Sequence, residues 1–261
     1  MATESFESRV HELVRDGKLT ADEAAELLRD AGRAPVAPPS VPTIAAVDAP
    51  PRLFIELTAG SVSIRGRPDV CEPRLVQADR SMQLRATPSG WVLEHRPVVD
   101  LSGALAWFRA SVAMMECGDV ELEVPESFTE LEVRALSGDI AVRDVRGVVR
   151  VTLTAGDVDL DRVGGFDVTA RTGRVRVRAL VTGGTHRIHA NTGSAELMLD
   201  AGSSADLELS TVLGRVDAPR VELSSGGVLG RKHRGRVGAG AGRIRVETVT
   251  GDIDVRAATE A

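Results

Sequence analysis

A glycine that returns at a near-constant step constrains this chain more than any other feature. Gly138, Gly156, Gly173, Gly193 and Gly214 are separated by 18, 17, 20 and 21 residues. Each lies between two short stretches in which apolar and polar residues alternate. Leu131-x-Val133-x-Ala135 leads into Ser137-Gly138-Asp139-Ile140-x-Val142, and Phe166-x-Val168-x-Ala170 into Thr172-Gly173-Arg174-Val175-x-Val177. The same pattern closes the chain at Ile244-x-Val246-x-Thr248, followed by Thr250-Gly251-Asp252-Ile253-x-Val255, and a looser copy runs from Phe54 to Ile64. Period-two alternation sends one face of each strand inward, and glycine lets the backbone turn a corner between strands. Short strands with frequent turns also suit a β-sandwich. Self-similarity at a fixed period favours stacked coils, each burying its apolar face on its neighbours. The expected fold is mainly β: a single-stranded parallel β-solenoid of β-helix or β-roll type over residues 52–261.

A charge pattern refines the register. Asp157, Asp159 and Asp161 alternate on one strand, and Arg174, Arg176 and Arg178 occupy the same places one coil later. Parallel stacking at about 4.8 Å sets each aspartate beside an arginine. Three cross-strand ion pairs are therefore expected, each worth about 0.2–1 kcal/mol.

Upstream the periodicity changes. Phe6, Val10, Leu13 and Val14 fall at i, i+4, i+7 and i+8, one apolar stripe of a helix. Gly17 suits a helix C-terminus, and Thr20-Ala21-Asp22-Glu23 is a capping box that opens a second helix carrying Leu27 and Leu28. Residues 1–32 therefore read as a helical hairpin. Two short helices cannot bury a core alone, so the stripe of Phe6, Val10, Leu13, Val14, Leu27 and Leu28 must meet a second copy, a partner or the rest of the chain, and docking of a protein partner or a second copy is expected. Pro35, Pro38, Pro39, Pro42, Pro50 and Pro51 make residues 33–51 a proline-rich linker.

Composition narrows the function classes. Aromatic residues are 3% of the chain and tyrosine is absent, which removes the stacking faces that carbohydrate and single-stranded nucleic-acid grooves use. A net charge of -6 argues further against nucleic acid as a partner. The first ten residues are polar and no apolar run reaches a membrane-spanning length, so a cytoplasmic protein is expected. Cys71 and Cys117 stand apart, as ordinary thiols of a reducing compartment.

The segment Val124-Pro125, then Leu131 to Ile140, and the closing Ile244 to Ile253 resemble the bacterial putative-adhesin family of Ser-Gly-Asp β-strand-repeat proteins, a family with no assigned biochemical activity. The likeness covers roughly residues 52–258. Ala155-Gly156 and Leu213-Gly214 depart from its motif in lacking Ser or Thr before the glycine. The stretch Glu12 to Leu28 resembles the SHOCT-like helical module that precedes such repeats in related proteins. The resemblance implies a link to cell-envelope stress or to cell surfaces.

No catalytic, cofactor or metal site emerges from the spacing. Asp157-x-Asp159-x-Asp161 begins like a calcium loop, but an EF-hand needs Gly at the sixth position and Glu at the twelfth, where Arg162 and Val168 stand. His186 and His189 fall on opposite faces of a strand and do not converge. Gly235, Gly238, Gly240 and Gly242 flank the basic run Arg231-Lys232-His233-Arg234-x-Arg236, which lacks the strand–turn–helix context of a nucleotide loop and reads as an exposed loop with an anion-binding alternative. The apolar segment Leu101 to Met115 holds Trp107 and Phe108, candidates for an interface loop or for the cover of a solenoid end. The expected function is a non-enzymatic scaffold or binding protein, with no cofactor and no small-molecule substrate. The alternatives are a membrane- or surface-contacting protein using residues 101–115, and a carbohydrate-active β-helix enzyme.

Overall fold

Alternation from Arg52 onward builds two facing sheets, and the glycine corners carry the chain from one to the other. The computed structural model describes residues 15, 51–78, 82–95, 119–226 and 231–258. The helical hairpin and proline-rich linker lie outside these apart from Arg15, which is helical and exposed, and Pro51. The chain divides into two units, residues 1–45 and 46–261, and the second is the one described below.

Each coil places one strand in the first sheet and a second strand in the other. The first coils are β1 (Arg52–Leu57) with β2 (Val62–Arg67), then, after β3 (Arg74–Gln77) and β4 (Met82–Thr87), β5 (Gly90–His95) with β6 (Val120–Pro125). Regular coils follow: β7 (Glu130–Ser137) with β8 (Ile140–Arg143), β9 (Val148–Ala155) with β10 (Val158–Asp161), and β11 (Gly165–Thr172) with β12 (Val175–Ala179). The last are β13 (Thr185–Thr192) with β14 (Ala195–Leu199), and β15 (Ala205–Leu213) with β16 (Val216–Asp217). After β17 (Ser224–Gly226) and β18 (Arg231–Val237), β19 (Gly242–Thr250) with β20 (Ile253–Ala257) completes the domain. Neighbouring coils pair in parallel, in agreement with the solenoid expectation.

Stacking in chain order holds only in the middle. The 11-stranded sheet runs β17-β18-β15-β19-β13-β11-β9-β7-β1-β5-β4, and the 9-stranded sheet runs β16-β20-β14-β12-β10-β8-β2-β6-β3. The first coil is thus held between the second and third, and the last is inserted between its two predecessors. The first and last coils of the domain are thus paired on both sides. The antiparallel strands β4, β3, β18 and β17 occupy outer positions instead. This corrects the expectation of a simple single-stranded parallel coil.

The glycine column explains the repeat. A Cβ on Gly138 would stand 2.0 Å from the Gly60 carbonyl oxygen, and one on Gly173 would stand 1.8 Å from that of Gly156. The column continues through Gly193 and Gly251 to Gly214, each against the glycine of the adjacent coil. Close coil approach therefore demands glycine, apart from the positive φ that most of these positions adopt. The aspartate after the glycine has its own task. Asp157 Oδ1 accepts the Arg174 amide at 2.8 Å, Asp139 Oδ1 the Asp157 amide at 2.9 Å, and Asp252 Oδ1 the Arg215 amide at 2.7 Å.

Between the sheets lies a thin core of Val, Leu, Ile and Ala running from Leu53 to Val255. Phe166 is its largest fully buried side chain. The expected register is present, with Asp159 opposite Arg176 and Asp161 opposite Arg178. The expected ion pairs differ. Arg176 Nε donates to Glu196 Oε2 at 3.1 Å and Arg178 Nε to Asp200 Oδ1 at 2.9 Å, both one coil onward. Asp161 instead accepts from Arg162 at 2.8 Å. Arginine reaches either neighbouring coil, so register alone does not choose its partner.

Candidate charged face and groove

Four rows of outward side chains cross the β11–β18 end of the larger sheet. Along the first, Thr185 stands opposite Arg243, and Arg243 opposite Asp206, which faces Arg236. The second runs Asp167, Arg187, Arg245, Glu208, Arg234, and the third Thr169, His189, Glu247, Ser210, Lys232. Arg171, Asn191, Val249 and Val212 end the strands. On these strands seven outward cations (Arg171, Arg187, Lys232, Arg234, Arg236, Arg243 and Arg245) meet four carboxylates (Asp167, Asp206, Glu208 and Glu247). This end of the sheet is therefore basic on a chain of net charge -6.

Most of these charges are matched. Arg236 Nε donates to Asp206 Oδ1 at 2.6 Å, and that carboxylate holds the guanidinium above its ordinary value. Lys232 Nζ lies 3.1 Å from Glu208 Oε1, and Arg234 3.8 Å from the same oxygen. The hydrogen bond from Lys232 is the main cause that lowers the Glu208 carboxyl below the usual range. Arg245 Nη2 donates to Glu247 Oε1 at 2.6 Å, while the Arg245 Nε is buried without a partner. His189 Nδ1 is 3.8 Å from Glu247. Beside these rows an open groove is lined by Asp206, Glu208, Glu222, Arg234, Arg236 and Arg243 among others. Rows of this kind can bind charged groups at fixed spacing.

The basic run is a strand and not the expected loop. Pairing of β18 against β15 sets Lys232, Arg234 and Arg236 beside Glu208 and Asp206, so its charge is largely spent inside the sheet. His186 and His189 do take opposite faces. His186 is buried against Phe166, with ring centroids 4.8 Å apart. Its Nδ1 accepts the Phe166 amide at 3.4 Å, leaving Nε2 to donate to Gly183 O at 2.8 Å. Asp159 and Asp161 lie on β10 as a strand ladder, and Asp157 directly precedes it. Among the described residues no cluster of three or more His, Cys, Asp or Glu is placed to hold a metal. Cys71 is an exposed free thiol.

Phe6, Val10, Leu13, Val14, Leu27, Leu28, Trp107, Phe108 and Cys117 lie outside the described residues. β5 ends at His95 and β6 begins at Val120, whereas β7 and β8 are joined by Gly138-Asp139 alone. Residues 101–115 fall in sequence between β5 and β6. Sequence reasoning missed Arg187, Arg243 and Arg245. Their outward alternation is readable in the chain, but their adjacency depends on β19 lying between β13 and β15.

A family model, Toastrack DUF4097, matches residues 113–256, which hold every regular coil from β6 to the end of β20 but one residue. The chain belongs to the Toastrack DUF4097 family. No curated protein matches the chain. One solved structure similar to this Toastrack chain is described as a "putative cell adhesion protein" from Clostridium sporogenes. The two are 12% identical, the match covers 79% of this chain and 92% of that one, and the TM-score is 0.43. No helix among the described residues is long and apolar enough to cross a membrane.

Proposed function

We propose that this Toastrack protein is a non-catalytic scaffold: its coils present charged rows to a binding partner, and its N-terminal hairpin docks a protein partner or a second copy. The ladder of parallel coils carries this reading. Outward side chains stand on rows fixed by backbone pairing and by the glycine column, a rigid surface suited to recognition. The core formed by residues 53–255 is assembled from the coils' own strands and connecting turns. The docking role rests on the apolar stripe of Phe6, Val10, Leu13, Val14, Leu27 and Leu28, which two short helices cannot bury alone. A role in envelope-related regulation is what the resemblance of residues 12–28 to the SHOCT-like module ahead of such repeats implies.

The test is sedimentation and affinity capture with the full chain, comparing wild type with L13E/L27E. The wild type is expected to self-associate or to retain a defined partner, and the variant to lose that species while keeping its β-rich circular dichroism. If both sediment as monomers and recover the same partners, the docking role is wrong.

A further inference from the structure

Insertion of β19 between β13 and β15 has an electrostatic consequence. Arg187 is placed directly opposite Arg245, although like charges facing each other across strands are destabilising. Stacking in chain order would have set Arg187 against Glu208, since both residues face Arg245 from opposite sides. Arg245 is occupied by Glu247 at 2.6 Å. Asp167, the other neighbour of Arg187, lies 3.9 Å from Arg150 on its far side. The carboxylate beside Arg243 is taken by Arg236 at 2.6 Å. Among the described residues Arg187 and Arg243 therefore have no ion-pair partner. They are diagonal neighbours on adjacent strands, a relation that spans about 7–8 Å between backbones. Thr185 stands opposite Arg243 and supplies a hydroxyl. The adjoining turn is open, for a Cβ on Gly183 would meet nothing within 4 Å.

Two exposed guanidiniums with unused donors, set one diagonal apart beside a hydroxyl, fit an oxyanion with donors on both sides. Guanidinium forks match phosphate geometry, and each can give two parallel hydrogen bonds. We infer that Arg187 and Arg243, with Thr185, form a phosphate-binding site on the outer face of the larger sheet, which takes phosphate groups borne on a polymer or on a lipid headgroup. The site does not depend on the docking role of the hairpin.

Calorimetric titration of the full chain with a short inorganic polyphosphate tests the site, and flotation with phosphatidylglycerol-containing vesicles identifies the source of the phosphate. The wild type is expected to bind polyphosphate with an affinity that falls as salt rises, and R187Q/R243Q to bind at least tenfold more weakly. R171Q, which removes an exposed arginine on the same face outside the site, should stay within twofold of wild type. Flotation that the double variant abolishes assigns a headgroup, and polyphosphate binding without flotation assigns a soluble ligand. Absence of both in the wild type, equal binding by R187Q/R243Q, or an equal loss in R171Q overturns the site. The hairpin variant L13E/L27E keeps this binding whether or not the docking role holds.

Discussion

Substituting alanine at three glycines separates the two physical demands that the coil corner makes. Gly173 has φ +132°, and a Cβ there would lie 1.8 Å from the Gly156 carbonyl oxygen. Gly202 also has positive φ, +85°, but its nearest neighbour would be Leu180 Cδ1 at 3.8 Å, an ordinary contact. Gly183 has neither constraint. A side chain at positive φ costs about 1–3 kcal/mol, and this is the whole expected loss for G202A. In G173A the coils must also separate by more than 1 Å (roughly, against normal carbon–oxygen contact), an overpacking cost of about 1–3 kcal/mol or more. That movement strains the amide of Gly173, which donates to Thr192 O at 3.0 Å, and that of Val175, which donates to Ser194 O at 2.9 Å. The expected total for G173A is about 3–5 kcal/mol. G183A should be neutral, or more stable by about 0.4–1 kcal/mol through the unfolded chain. Thermal and urea unfolding followed by circular dichroism measures all three. At about 2–4 °C per kcal/mol for a domain of this size, G173A should melt at least 6 °C below wild type. A G173A no less stable than G202A would refute the claim that coil contact, and not torsion alone, selects these glycines.

Two further tests address the side chains that join coils. D157A removes the acceptor for the Arg174 amide at 2.8 Å and should cost about 1 kcal/mol, while D157N keeps an acceptor oxygen and should recover most of it; equal loss in both would assign the effect to charge. Arg162 donates two hydrogen bonds to Asp144, at 2.6 and 3.0 Å, and these hold the Asp144 carboxyl below its ordinary value. A group depressed in the folded state stabilises above its unfolded pKa and loses that contribution as pH falls through its folded pKa. The difference in Tm between wild type and R162Q should therefore be present at pH 6 and shrink below about pH 4; a constant difference would show that the pair contributes nothing through charge.

Much of the middle of the domain was legible in the chain. Each regular coil satisfies its own alternation and its own glycine, and consecutive coils are spatial neighbours from β7 to β14. Local pattern and global contact agree there. The ends were not legible for the same reason. Arg231 to Val237 carries alternating charge, which suits a solvated strand as well as a loop, and only pairing with Asp206 and Glu208 fixes it as β18. The spacing of Asp157 matches Arg174 and predicts an ion pair. Its oxygen accepts the Arg174 amide instead, a backbone partner that no side-chain pattern records.

What the sequence determined by itself is the coil: alternation chooses the inward face, glycine permits the close corner, and the repeat fixes the register between equivalent positions. Those are short-range demands, met within one coil and its neighbour. Only the tertiary structure decided the order of the coils. Because equivalent positions are nearly interchangeable, the last coil can pair as well between β13 and β15 as beyond β15, and the pattern of apolar residues is satisfied either way. Threading it inward places Arg245 where Glu208 would have faced Arg187. The charge that remains unmatched on this face is thus a product of topology.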